Sequence, residues 1–244
     1  MLTSIWRYDP SGNVVQCQDE VAEERPLTIY VNGTLAVRLA SSGDLMEAAA
    51  VGHAVSEGWA RPAQILVVTV EGRSAFLTLS RDAPGPDSPM STDIDCISGD
   101  ALAEDIAVSR GFTVSARRLR DLAEEMQRSA VQWRTTGGVH AALVAQGDNV
   151  FCCEDISRHT ALDIVIGYAV AHSWNLGEAV LMGTGRIPTQ AVAQAARAGI
   201  PVLASRSATT AQAVALAERI GSTLIAFVRG GRMNVYSHPE RVVS

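Results

Sequence analysis

Short apolar runs of β type, broken by turn residues, mark the first third of the chain. LTIYV (27–31) and TLAVRL (34–39) flank Asn32-Gly33. That pair suits the positive φ angles of a type I′ turn, so the segment reads as a β-hairpin. QILVVTV and RSAFLTL repeat the arrangement around Glu71-Gly72 and predict a second hairpin. Between them, LMEAAAVGHAVSE has helical spacing, with Asp44 placed to cap its start and Gly58 to end it. Residues 1–26 are polar and irregular and predict no regular element. Residues 81–99 are rich in Pro, Asp, Ser and Gly, a long loop of the kind that is functional or mobile.

The remainder has a different rhythm. SARRLRDLAEEMQRSAVQW is an amphipathic helix capped by Ser115. HAALVA and NVFCCE are short strands around Gly147-Asp148, and SRHTALDIVIGYAVAHSW is a largely buried helix capped by Ser157. Strands EAVLMG, IPVLAS and STLIAFV then alternate with helices PTQAVAQAARAG and TTAQAVALAERIG, with Pro188 fitting a first helical turn. Alternation of this kind implies βαβ units on a parallel sheet. The expectation is an α/β fold: a hairpin-rich N-terminal part over 1–110, and a C-terminal α/β part over 111–244.

Composition narrows the chemistry. The 244 residues are 47% hydrophobic and 19% charged, a globular balance, and no apolar run is long enough to span a bilayer. The start lacks a basic n-region and an apolar h-region, so a cytoplasmic location is expected. Twenty basic against 26 acidic residues give a net charge of −6, which argues against general nucleic-acid binding. Every basic residue other than His is Arg. The absence of Lys excludes a Walker-type phosphate loop and Schiff-base catalysis, so any phosphate must be held by backbone amides and guanidinium groups. The four cysteines, Cys17, Cys96, Cys152 and Cys153, form no CxxC and are expected to be reduced. Cys152 and Cys153 are neighbours on one strand, so they point to opposite faces and are packing residues rather than joint ligands. No metal site is expected.

Three successive strands end alike. The first runs into GTGR with Gly185 and Arg186, the second into SRS with Arg206 and Ser207, the third into RGGR with Arg229, Gly230, Gly231 and Arg232. Ligands collect at the carboxyl ends of such strands, helix N-termini favour anions, and Arg suits bidentate phosphate contacts. The expectation is one cradle for a phosphate or pyrophosphate; the alternative is ordinary turns with solvated arginines. A second cluster holds Gly137-Gly138, His140, Glu154, Asp155, Arg158, His159 and Asp163. Asp163 lies four residues after His159, a spacing that could fix the imidazole tautomer for acid/base work. Capping by Asp155 or Ser157 plus a surface ion pair explains the same residues.

Taken together, EERPLTIYVNG, TGGVHAA, EDISRHTALD, AARAGIPVLASRSATT and FVRGGRMNVYS resemble the formate dehydrogenase accessory sulfurtransferases, FdhD, over about residues 24–241. The resemblance implies a cytidine-deaminase-like sheet with flanking helices, without the deaminase zinc, and a homodimer. It implies a protein that takes persulfide sulfur from a cysteine desulfurase. The sulfur passes to the molybdenum (or tungsten) bis(pyranopterin guanine dinucleotide) cofactor of formate dehydrogenase. The cofactor segment of the family falls on Phe227, Val228, Arg229, Gly230, Gly231 and Arg232, with GDP as a mimic. Arg186, Arg206, Ser207, Gly185, His140, Arg158 and His159 complete the expected site.

The family has Cys-Gly-x-Cys-Gly in the 90–105 loop, where this chain has Asp95, Cys96 and Ser98 at the first three informative positions. Ser157, Thr160 and Ile164 also depart from the usual Gly, Asn and Lys. Cys96 is then the candidate sulfur carrier. An ordinary thiol is roughly 3% ionised at pH 7. A following helix N-terminus would favour the thiolate, whereas Asp93, Asp95, Asp100 and Glu104 oppose it. The alternative is a cofactor-binding and delivery module without sulfur transfer. A weaker one is a nucleotide-dependent hydrolase using His140 and the His159/Asp163 pair.

Overall fold

Asn32 and Gly33 take φ of 49° and 82° and turn β3 (Leu27–Val31) into β4 (Thr34–Leu39), as the Asn-Gly pair predicts. The computed structural model describes residues 1–86, 108–109 and 111–244; Cys96 and its loop lie outside the described residues. Two elements precede that hairpin where the sequence predicts none. β1 (Leu2–Tyr8) and β2 (Val14–Glu20) pair antiparallel from Leu2 opposite Glu20 to Tyr8 opposite Val14. Their turn is built by a side chain: the Asp9 carboxylate accepts the N–H groups of Ser11 and Asn13 at 2.9 and 3.0 Å. Asp supplies turns of this type by standing in for a backbone carbonyl.

Next come α1 (Met46–Ser56), β5 (Ile65–Glu71) and β6 (Ser74–Leu79). The second hairpin is β5–β6, and a parallel β3–β6 pairing makes a four-stranded sheet in the order β4-β3-β6-β5. Asp44 does not cap α1. Leu45, in the left-handed region at φ 52°, occupies that position without a side-chain cap.

Beyond the undescribed stretch, β7 (Val114–Ser115) leads into α2 (Ala116–Ser129), and Ser115 caps it by accepting the Arg118 N–H at 3.0 Å. The single helix expected here breaks at Ala130, and α3 (Val131–Thr136) follows. Charged groups hold the break: Glu154 accepts the N–H groups of Gln132 and Trp133, and Arg134 donates to the Gln127 and Arg128 carbonyls. These contacts match the two ends of the helix dipoles.

The remaining elements are β8 (His140–Gln146), β9 (Asn149–Asp155), α4 (Arg158–Ala171), β10 (Ala179–Gly183), α5 (Thr189–Arg197), β11 (Val202–Ser205), α6 (Ala211–Ile220), β12 (Thr223–Arg229), β13 (Arg232–Val235) and β14 (Val242–Val243). Six strands form one sheet in the order β13-β12-β11-β10-β8-β9. Its centre, β10-β11-β12, is parallel as the alternation implies, and antiparallel strands flank it on both sides. Pro188 sits at the N-cap of α5.

Strand alternation sorts two cores. Ala142, Val144, Leu181, Leu203 and Leu224 face α1, α4, α5 and α6, while Leu143, Met182, Ala204 and Ile225 face α2 with Leu119, Leu122 and Met126. The first core includes Leu27, Ile29 and Leu77 of the four-stranded sheet, so parts 1–110 and 111–244 meet in it. At the seam the backbones of α1 and α4 touch. A Cβ on Gly52 would lie 1.7 Å from the Asp163 carbonyl oxygen, and one on Gly167 would lie 1.9 Å from that of Ala48.

Inside this seam, His53 Nδ1 lies 2.8 Å from Asp163 Oδ2, and Asp163 Oδ1 accepts Ser56 Oγ–H and Gln194 Nε2–H at 2.6 and 2.9 Å. Burial opposes a charge on His53, but Asp163, through its charge and hydrogen bond, and then Glu57 hold its pKa above the ordinary imidazole value. The tail closes the fold: β14 pairs in parallel with β7, and the buried Arg241 guanidinium donates to the Ser109 carbonyl at 2.8 Å. No helix among the described residues is long and apolar enough to cross a membrane.

Candidate functional site

At the carboxyl ends of β10 and β11, on the α4 side, lies a small hollow that opens to solvent. Its floor is Leu162, Ile187, Ala191 and Leu203, and its polar wall is His140, Arg158, His159, Thr184, Arg186 and Ser205. Each element delivers its part for a local reason. β8 begins with His140, antiparallel to β10. α4 opens with Arg158 and His159 because Ser157 caps it, accepting the Thr160 N–H at 3.3 Å. Asp155 fastens that entry: its carboxylate accepts Ser41 Oγ–H, Ser42 N–H and Ser157 N–H within 2.9 Å. Burial pushes the Asp155 pKa up, against the pull of those hydrogen bonds.

Gly185 lets the wall close. A Cβ there would stand 3.2 Å from Arg158 Cβ and 3.3 Å from His140 Nδ1. No carboxylate among the described residues lines the hollow, which therefore favours an anion. Burial first, and then the Arg158 guanidinium, hold the His140 pKa below the ordinary imidazole value.

The strand ends are stitched into a row. Arg206 N–H donates to the Gly183 carbonyl at 3.1 Å, and Phe227 N–H donates to that of Ser207 at 3.0 Å. Ser205 Oγ–H donates to the Gly185 carbonyl at 2.6 Å while accepting the Ser207 N–H at 3.0 Å. These bonds commit the Ser207 amide and the Arg206 amide to the protein itself.

The expected site residues fall into two groups. His140, Arg158, His159, Gly185 and Arg186 share the hollow. Phe227, Arg229, Gly230, Gly231 and Arg232 form the β12–β13 turn, where Gly230 and Gly231 take φ of 59° and 76°. Phe227 is itself at φ 56°, and the Arg229 guanidinium stands 5.5 Å from its ring centroid. Arg229 and Arg232 are exposed, whereas Val228 is buried in the core beneath α2 and can offer only its backbone. Arg206 goes to neither group: its Nη1 donates to Gln127 Oε1 on α2 at 2.5 Å. The strand-end arginines thus do not line a single hollow. Ser205 ends β11 in the wall of the hollow, whereas Arg206, just past the strand, reaches α2.

One expected pairing is corrected. Asp163 does not orient His159; its carboxylate turns into the α1–α4 seam, to His53, Ser56 and Gln194. The hydrolase alternative loses its acid/base pair. Cys152 and Cys153 behave as packing residues: burial pushes the Cys152 pKa up to about 11, and that of Cys153 well above an ordinary thiol. Neither is a ready nucleophile. Two site groups that were not singled out in the sequence are Thr184 and Ser205. Thr184 lies within GTGR, and its hydroxyl accepts the Ala141 N–H at 3.0 Å.

Comparison with known proteins is consistent over the whole chain. The FdhD/NarQ family model matches residues 22–243. The "Sulfur carrier protein FdhD" of Methanothermobacter thermautotrophicus is 32% identical over 92% of both chains. That of Bacillus subtilis is 30% identical over 98% of this chain and 95% of its own. Among solved structures, a putative formate dehydrogenase accessory protein from Desulfotalea psychrophila superposes with a TM-score of 0.85 at 23% identity. That alignment covers 100% of this chain and 99% of that one, and shows the shared fold. With its motifs in order and its match running nearly end to end, the chain belongs to the FdhD/NarQ family.

Proposed function

We propose that this protein is a sulfur carrier that serves formate dehydrogenase by holding the molybdenum or tungsten bis(pyranopterin guanine dinucleotide) as cargo. The observation that carries the reading is the hollow with Arg158 and Arg186 in its wall, which no carboxylate among the described residues lines, stitched through 205–207 to the Arg229/Arg232 turn. Pyrophosphate groups match guanidinium forks, and the turn offers the Phe227 ring beside them. The six-stranded sheet is read as the cytidine-deaminase-like unit of the family, acting in the cytoplasm as a homodimer.

In sulfur transfer, the Cys96 thiolate attacks the outer sulfur of a persulfide on a cysteine desulfurase. A new S–S bond forms, the old one breaks, and the desulfurase thiolate leaves. The test of cargo binding is calorimetry with GDP. Micromolar binding that Arg186→Ala or Arg232→Ala weakens at least tenfold supports the site; binding unchanged in both variants refutes it.

The replacement of the family's cysteine pair by Asp95 and Ser98 favours a second reading, delivery of cargo without sulfur transfer. Mass spectrometry after incubation with a cysteine desulfurase and cysteine separates them. A 32-Da adduct (about one sulfur atom) on Cys96 supports the carrier. An unmodified Cys96 supports delivery alone.

A further inference from the structure

We propose that Ser205 is a positioning residue that sets ligand specificity. Its hydroxyl fixes the spacing between the Arg186 hollow and the Phe227 turn, and thereby selects a nucleoside diphosphate, which reaches both, over a free pyrophosphate, which reaches one. The inference deepens the phosphate-binding reading above and rests on it.

Ser205 ends β11 and is 1% exposed, so water hardly competes for its hydroxyl. The proton goes to the Gly185 carbonyl at 2.6 Å, and the oxygen accepts the Ser207 N–H at 3.0 Å. A serine hydroxyl can donate and accept at once, so the two bonds together fix its rotamer. Ser207 carries the connection onward, because its carbonyl accepts the Phe227 N–H at 3.0 Å. Gly185, Ser205, Ser207 and Phe227 thus make one hydrogen-bonded line across the ends of β10, β11 and β12.

Each end of the line holds a ligand-facing element. At one end Arg186 is flanked by Gly185, tied to Ser205, and by Ile187, whose N–H donates to the Ala208 carbonyl at 2.9 Å. At the other end Phe227 stands at φ 56°, in the irregular stretch between Ala226 and Arg229 of the β12–β13 pairing. A non-glycine residue in the left-handed region persists only where its surroundings fix it. The Ser207 carbonyl is the partner of the Phe227 amide. Removing Ser205 Oγ leaves the Ile187–Ala208 and Phe227–Ser207 backbone bonds in place but unties Ser207 from Gly185. The hollow and the turn then keep their own residues and lose their common register.

Register is what separates the ligands. β10 and β12 flank β11 in the sheet, so their ends lie two strand spacings apart, about 10 Å. A pyrophosphate, two phosphorus atoms joined through one oxygen, fills one of the two places. A nucleoside diphosphate has a ribose between its base and its phosphates. Its phosphates meet Arg186 while its base lies against the Phe227 ring, a contact that stacking favours.

The experiment is calorimetry with GDP and with inorganic pyrophosphate on wild type and Ser205→Ala. The variant should lose about tenfold in GDP affinity and keep its pyrophosphate affinity within about threefold. A merely structural serine would weaken both ligands alike. Equal loss for the two ligands, or no loss for GDP, overturns the inference and leaves GDP binding standing. Amide exchange by NMR tests the same point on wild type, whether or not the variant folds. GDP should slow exchange at both Ser207 and Phe227, and pyrophosphate should leave Phe227 unchanged. Equal protection of Phe227 by the two ligands, or none by GDP, also overturns it. If wild type binds neither ligand, the phosphate-binding reading falls and this inference falls with it.

Discussion

Two histidines, one on helix α1 and one at the start of strand β8, have been put to opposite uses. In the α1–α4 seam, His53 is sealed beside a carboxylate that holds its pKa above the ordinary imidazole value. In the strand-end hollow, His140 faces guanidinium groups with a hydroxyl behind it, and its charge is held off. The difference teaches that the imidazole alone decides nothing. A buried carboxylate turns it into a fastener, and burial beside a guanidinium favours its neutral form.

The comparison can be broken most severely at the seam. Asp163→Ala leaves the buried His53, Ser56 and Gln194 without their common acceptor, and should cost about 3–5 kcal/mol, read by chemical denaturation. Gly167→Ala, which forces a Cβ into the Ala48 carbonyl, should cost about 1–3 kcal/mol or more if the helices cannot part. In the hollow, Arg158→Ala should weaken GDP binding about tenfold and shift stability by only about 0.5 kcal/mol. Isothermal titration and thermal melts check both halves of that expectation.

A pH series sharpens the contrast. The folded pKa of His53 lies above 6.5, so its stabilising contribution is complete below pH 6.5 and is lost as pH rises through the raised folded value. The folded pKa of His140 lies below 6.5, so its contribution is present above pH 6.5 and is lost as pH falls through the lowered value. His53→Gln should therefore flatten the alkaline side of the stability profile, and His140→Gln the acid side. The smallest effect is expected at Arg206. Its guanidinium is tied to Gln127 on the far face, and Arg206→Ala should change GDP affinity by less than about threefold.

What the sequence made legible were local devices. The Asn32-Gly33 turn, the Ser115 and Ser157 caps and the parallel centre of the large sheet follow from short-range chemistry. The β1–β2 ribbon escaped because its turn depends on one Asp9 side chain bridging two amides. The true partner of Asp163 escaped because His53 lies 110 residues away, on a helix brought close by facing glycines. Within the site, Gly185 and Arg186 were readable from their turn, whereas Arg206, expected beside them, turns to Gln127 on α2. Thr184 was not singled out, since nothing in GTGR tells which atom its hydroxyl will meet.

The Arg241 contact gives the C-terminus more weight than its position suggests. The Arg241 guanidinium, with only three residues after it in the chain, is moored to the Ser109 carbonyl ahead of β7. A tag or deletion at the tail would loosen the mooring of Ser109 and the β14–β7 pairing. Fusions for assays of sulfur loading belong at the other terminus, on the exposed ribbon.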